Sequence, residues 1–256
     1  MIVNGTDILY MDTIDGNYIN SFEATITDIR TDEKDRPYLV LDRTAFYPEG
    51  GGQPTDTGSL TFHPDGGPDR LLLTVVRVTK KSDIRHYISE VDQLSQIPSG
   101  SSVVCELDWE KRHAHMKMHT AQHMVSSIVY DLYGAATVGN QIHSETSRID
   151  FAPLSHDEVD VSLIETRCND LIRVNPPVLV MFQDRSEIED SQNAERCNVH
   201  LIPQSVRELR IVKIQDVELC PCAGTHIRAL GEIGGIRILF VRSKGKGKVR
   251  ITYELI

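Results

Sequence analysis

His119-Thr-Ala-Gln-His123 and Cys222-Ala-Gly-Thr-His226 each hold two side chains of the zinc-ligand type four positions apart. On a helix, positions i and i+4 share a face, so both imidazoles of the first pair can turn toward one ion. The Ala-Gly-Thr between Cys222 and His226 predicts a tight loop, with Gly224 permitting the bend. One HxxxH alone means little, but joined to CxxxH it has the composition of a metal site. Peptide hydrolysis of the HExxH kind is excluded, because Thr120 stands where that chemistry needs a glutamate as general base. His113 and His115 precede the first pair, and His115 with His119 repeats the same spacing. Spacing by itself leaves both ladders open.

Four stretches carry a resemblance that chooses between them. They are Asp108–His123, the glycine-rich Leu41–Gly58, Val217–His226 and Gly231-Glu-Ile-Gly234. In this order they resemble the editing domain of alanyl-tRNA synthetases and the free-standing, medium-sized AlaX-type editing proteins, from about residue 20 to the end of the chain. The resemblance implies one Zn2+ held by His119, His123, Cys222 and His226, with His113 and His115 left out. Two departures are Cys220, close enough in sequence to compete for the ion, and Ala223, where the synthetase version usually has glycine. The implied activity is trans-editing: hydrolysis of the ester joining a wrong amino acid, most plausibly serine, to the 3′ end of alanine tRNA, without ATP and in the cytoplasm. The family builds its amino-acid pocket partly from the segment after the ligand helix, where Thr137, Asn140 and Gln141 could pair with a serine hydroxyl. No catalytic side chain is assigned. Two other classes share the same residues: a tRNA-binding module with structural zinc, and a zinc hydrolase of small esters or amides.

Glu49-Gly50-Gly51-Gly52-Gln53-Pro54 invites comparison with phosphate loops. It lacks both the Gly-Lys-Ser/Thr ending and the dinucleotide spacing. Its glycines predict a turn with positive φ, and the resemblance implies a part in handling tRNA.

These groups must be held by a scaffold. The 256 residues suffice for one large or two modest domains, and no apolar run approaches a membrane span. Short β-type runs at Phe22–Arg30, Tyr38–Arg43, Gly58–Phe62, Leu71–Thr79, Arg85–Glu90 and Ser102–Leu107 predict a small barrel or sandwich. Residues 64–68 read as a hairpin turn. Asp108 reads as the N-cap of a helix running to Tyr133 and stopped by Gly134, with one apolar stripe from Trp109 to Leu132. A second helix is expected over Asp157–Val174, then strands at Val178–Phe182, Leu209–Ile214, Ile236–Arg242 and Val249–Leu255. The fold class is therefore α+β: a barrel-like N-terminal domain over residues 1–100, then a zinc-containing α+β domain over 101–256.

Five cysteines without framework spacing fit a reducing compartment, some thiols binding metal and others buried. The net charge of −10 excludes a protein that coats nucleic acid indiscriminately, so any tRNA must be gripped by local basic patches. Two are visible: Lys111, Arg112 and Lys117 on the ligand helix, and Lys244, Lys246 and Lys248 at an expected hairpin tip formed with Gly245 and Gly247.

Overall fold

The computed structural model describes residues 1–64, 70–190, 196–197 and 199–256. They fall into two units: Met1–Gly50 with Pro54–His113, and Gly51–Gln53 with Ala114–Ile256.

The strands of the first unit, in chain order, are β1 (Ile2–Val3), β2 (Thr6–Ile8), β3 (Ser21–Thr31), β4 (Pro37–Leu41), β5 (Arg43–Thr44), β6 (Gly58–Phe62), β7 (Leu71–Lys80), β8 (Ile84–Ile88) and β9 (Ser102–Leu107). Six of them close a barrel in the order β3-β4-β8-β7-β6-β9, while β1, β2 and β5 form a small separate sheet. Alternation fills the barrel: Val103, Cys105 and Leu107 of β9 point inward with Leu60 and Phe62 of β6 and Leu73 and Val75 of β7. The expectation of a small barrel thus holds. Its closing strand, β9, lies beyond residue 100. The expected turn at residues 64–68 lies, from 65 onward, outside the described residues.

α1 (Trp109–Tyr133) begins in the first unit and continues in the second. The Asp108 carboxylate accepts the Lys111 N–H, and Gly134, with φ of +65°, ends the helix. The expected single apolar stripe is too modest. From Met118 to Val129 every residue is buried, polar ones included, so this stretch is a central helix surrounded on all sides.

The rest of the second unit comprises β10 (Ala136–Gln141), β11 (Thr146–Ala152), α2 (Val161–Val174), β12 (Val178–Asp184), α3 (Arg185–Glu189), β13 (Glu208–Ile214), β14 (Glu218–Pro221), β15 (Ile236–Gly245) and β16 (Lys248–Leu255). They build an antiparallel sheet β10-β11-β16-β15 and a second sheet β12-β13-β14. The segment after α1, to which the resemblance gives part of the amino-acid pocket, is the hairpin β10–β11. Its period-2 pattern is masked by glycine, polar side chains on both faces and a bulge between Thr137 and Gly139. α2 starts at Val161, not Asp157, because Asp160 caps it and Ser155 and Glu158 close a separate 3-10 turn through a capping box. Among the described residues, no helix is long and apolar enough to cross a membrane.

Candidate metal centre

His119 and His123 lie one turn apart on the buried stretch of α1, and Cys222 and His226 follow β14 in a loop. The ligand atoms of these four residues all lie within 4.8 Å of one another, a group that could hold a metal ion. The Cys222 Sγ is 3.5 Å from His119 Nε2 and 3.4 Å from His226 Nε2. Three imidazole rings surround the centre, with centroids 5.2 Å (119–123), 4.4 Å (119–226) and 4.9 Å (123–226) apart.

What orients the rings is equally specific. His119 Nδ1 donates to Gln53 Oε1 at 2.8 Å, His123 Nδ1 to Glu218 Oε2, and His226 Nδ1 meets the Thr120 hydroxyl at 3.2 Å. The Thr120 hydroxyl donates to the Met116 carbonyl at 2.9 Å, so toward His226 it acts as acceptor. The Gln53 oxygen also accepts the Thr225 N–H, while its amide donates to Thr225 Oγ1 at 2.8 Å. Each Nδ1 thus carries its proton against an oxygen, and each Nε2 is turned to the centre, the arrangement in which a histidine ligates a metal with its other nitrogen anchored. The donor set and its tautomers fit a zinc-type ion.

Electrostatics agree. Burial would raise the Cys222 thiol, but His119 and His226 outweigh it and hold the group well below its usual range, as a thiolate. Burial, then repulsion from His119, pushes His226 down to about 3, so this ring is neutral. Burial opposes charge on His123 too, yet Glu218, followed by Cys222, raises it to about 10.

Gly224 is needed for a reason other than the bend. A Cβ there would stand 2.1 Å from His119 Cε1, so only glycine lets the ring occupy its place. Gly52, at φ +86°, has Asn140 Oδ1 where its Cβ would be, and its carbonyl accepts the Ile142 N–H at 2.9 Å. The glycine-rich segment therefore delivers Gln53 behind a ligand and packs against β10. Gly50 belongs to the first unit, where its carbonyl accepts from the Tyr47 hydroxyl.

His115 is buried but turns its Nε2 to Ser144, 3.1 Å away, and His113 stacks on Trp109. Cys220 does not join the four: it is in a disulfide with Cys197, Cα atoms 5.5 Å apart, so two of the five cysteines are neither ligands nor free buried thiols as expected. His123, Glu218 and Cys220 form an overlapping metal-capable group, but there Glu218 is engaged with His123 Nδ1 and Cys220 with Cys197. Thr137 and Asn140 face α1. Thr137 Oγ1 is 2.7 Å from Ser126 Oγ, Gln122 Nε2 donates to the same hydroxyl, and Asn140 Nδ2 approaches Gln122 Oε1 at 3.3 Å. Gln141, next along β10, lies on the other face of the sheet, paired with Arg148.

Of the basic residues, Lys244, Lys246 and Lys248 are exposed around a hairpin tip with positive φ at Gly245, Lys246 and Gly247. Lys111 and Lys117 are half-buried, and Lys111 Nζ donates to Thr57. Arg112 is a correction. It is fully buried, ion-paired with Asp56 and donating to the Asn17 and Ala45 carbonyls, so it has no guanidinium to offer a phosphate. Sequence reasoning passed over Gln122, Ser126, Thr225 and Glu218. Gln122 sits inside the HTAQH motif, where one turn of helix puts it beside both ligands, so a signal existed. Glu218 had none, since only the fold of β14 brings it to His123.

The second unit is thus an α+β unit with a buried His3Cys group that could hold a metal ion, and its helix α1 also carries the polar side chains that meet Thr137 and Asn140. Residues 209–252 match the family model described as the threonyl and alanyl tRNA synthetase second additional domain, and residues 4–111 that of class II (A) tRNA synthetases. An alanyl-tRNA editing protein AlaX-M from Methanosarcina barkeri is 35% identical, over 93% of this chain and 96% of its own. An AlaX-L from Pyrococcus horikoshii is 35% identical over 92% of this chain and 55% of its own. An alanine–tRNA ligase from Pyrobaculum neutrophilum is 34% identical over 93% of this chain and 26% of its own. The chain belongs to the family of alanyl-tRNA editing proteins.

Proposed function

We propose that this chain is a trans-editing hydrolase that cleaves the ester between serine and the 3′ end of alanine tRNA, at a zinc site made by His119, His123, Cys222 and His226. The observation that carries the reading is the convergence of three Nδ1-anchored imidazoles and a thiolate beside the polar run Thr137–Ser126–Gln122–Asn140. Bound there, zinc would supply Lewis-acid polarisation of the ester carbonyl or of a water. The protein's own contribution is to hold Cys222 as a thiolate and His226 neutral, to anchor each imidazole through its Nδ1, and to offer hydroxyl and amide groups to the amino-acid side chain. A serine hydroxyl can join the Thr137, Ser126 and Asn140 hydrogen bonds, whereas alanine leaves them with one partner fewer. An unpaired buried polar group costs about 1–3 kcal/mol, which is roughly ten- to hundredfold in rate. The exposed Lys244, Lys246 and Lys248 are proposed to contact tRNA phosphates, with Lys111 and Lys117 as secondary contacts. The reaction needs no ATP, and its setting is the cytoplasm.

The test is deacylation of alanine tRNA charged with serine or with alanine, by the purified zinc-loaded protein. Serine should be released about ten- to hundredfold faster. Equal rates overturn editing. Binding without hydrolysis would assign a tRNA-binding module with structural zinc, and cleavage of small esters alone would assign a hydrolase of another kind.

A further inference from the structure

The sheet β10-β11-β16-β15 has two unlike faces. Its inner rows, Asn140↔Ile149↔Ile251↔Val241 and Ser147↔Tyr253↔Ile238, pack against the unit's interior. Its outer rows are Gln141↔Arg148↔Thr252↔Phe240 and Gly139↔Asp150↔Arg250↔Arg242, with Arg237 opposite Glu254 in the row beyond. Partners in register share a face, so these side chains line one continuous surface.

That surface is basic on a chain whose net charge is −10. Asp150 is taken by Arg250 at 2.6 Å and Glu254 by Arg237, so both carboxylates of these rows are neutralised. Arg148 and Arg242 are exposed and have no carboxylate partner among the described residues. The field is concentrated: the Asp150 carboxyl is held below its usual range first by its bond to Arg250, with the charges of Arg148 and Lys244 adding to the effect. At the far strand Phe240 is 53% exposed, with the Arg242 guanidinium 5.2 Å from its ring centre. A large exposed aromatic beside unpaired arginines on an open sheet is the chemistry that takes unpaired RNA, bases on the ring and phosphates on the cations.

Resting on the function proposed above, we infer that this outer face is the docking surface for the unpaired 3′ segment of the RNA, which crosses from Phe240 on β15 to the β10 edge. The order of the strands supports this path. Three strand spacings of about 4.8 Å separate β15 from β10, roughly 14 Å, the reach of two or three nucleotides. β10 is also the strand whose inward residues Thr137 and Asn140 meet Ser126 and Gln122, on the helix that carries His119 and His123. An RNA end that stacks on Phe240 and pairs its phosphates with Arg242 and Arg148 arrives at this edge, and its last residue turns over it into the site. The surface is distinct from the lysine tip at Lys246, which lies beyond the end of the sheet's ladder.

The experiment measures binding of uncharged alanine tRNA transcript, against salt, to the parent, to Phe240→Ala and to Arg148→Ala/Arg242→Ala. A second transcript lacks the unpaired 3′ nucleotides. Zinc content serves as the folding control. The double arginine variant should lose about 1.4–1.8 units of the slope of log affinity against log salt. Phe240→Ala should weaken the intact transcript between about fivefold and a hundredfold and leave the truncated one unchanged. Parental affinity and slope in both variants, or equal loss by Phe240→Ala on both transcripts, overturns the surface. So does self-association of the parent that Phe240→Ala abolishes, which would give the face to a second copy. Because uncharged RNA is used, a parent that binds but does not deacylate separates failure of the function from failure of the surface.

Discussion

Replacing Arg112 separates a structural from a nucleic-acid role at a position where sequence alone points the wrong way. The guanidinium is fully buried and donates to Asp56 Oδ2 from Nε at 2.9 Å, to the Asn17 carbonyl at 3.0 Å and to the Ala45 carbonyl. Asp56 is itself only 1% exposed. Its remaining bond is the Tyr47 N–H, at 2.7 Å. Arg112→Met roughly keeps the length of the stem but leaves a buried carboxylate without its cation, a loss of about 3–5 kcal/mol. With a urea slope near 2 kcal/mol/M, the midpoint should fall by about 1.5–2.5 M. The single tryptophan, Trp109, lies one turn before Arg112 and against Tyr18, so its fluorescence reports this unit's unfolding. Adding Asp56→Asn to Arg112→Met should restore part of the loss, since the uncompensated charge is then gone. The salt slope of tRNA binding should not change. A midpoint within about 0.25 M of the parent's, together with a salt slope flattened by nearly one unit, would refute the buried-pair account and return Arg112 to the RNA surface.

Two further outcomes concern the metal. His119→Ala and Cys222→Ala should lose most bound zinc in metal analysis while His115→Ala keeps it, because His115 is turned to Ser144. Full zinc in Cys222→Ala would refute Cys222 as a ligand, and with it the pairing that keeps Cys220 in a disulfide. Metal affinity should also rise with pH. Glu218 raises His123 to about 10, so without metal this ring is protonated at neutral pH and must give up that proton to bind. The log of the affinity should therefore gain up to about one unit per pH unit between 7 and 9, and Glu218→Gln should flatten the rise. Chelator competition that gives a flat parent profile would refute this.

Much of the molecule was legible in local chemistry. The barrel strands show a period of two, the cap at Asp108 and the stop at Gly134 bound the ligand helix, and Gly245 with Gly247 marks a hairpin tip, because each is dictated by neighbours in sequence. The four metal-capable residues were legible for the same reason: two short motifs whose residue types have few other uses. Their supports were not. Glu218 behind His123, Gln53 behind His119 and Thr120 behind His226 are ordinary polar residues until the chain folds. The hairpin β10–β11 was hidden because one strand carries polar side chains on both faces, Asn140 toward Gln122 of α1 and Gln141 toward the arginines. Charge misled for a related reason. Lys111, Arg112 and Lys117 form one basic cluster in sequence, yet burial sends Arg112 into an ion pair, while Arg148, Arg242 and Arg250, scattered along the chain, are gathered by strand register onto one surface. Sequence by itself decides which side chains can ligate and where helices and strands begin and end. Which polar groups are buried against one another, and which cations face solvent together, is set by packing between residues far apart in the chain.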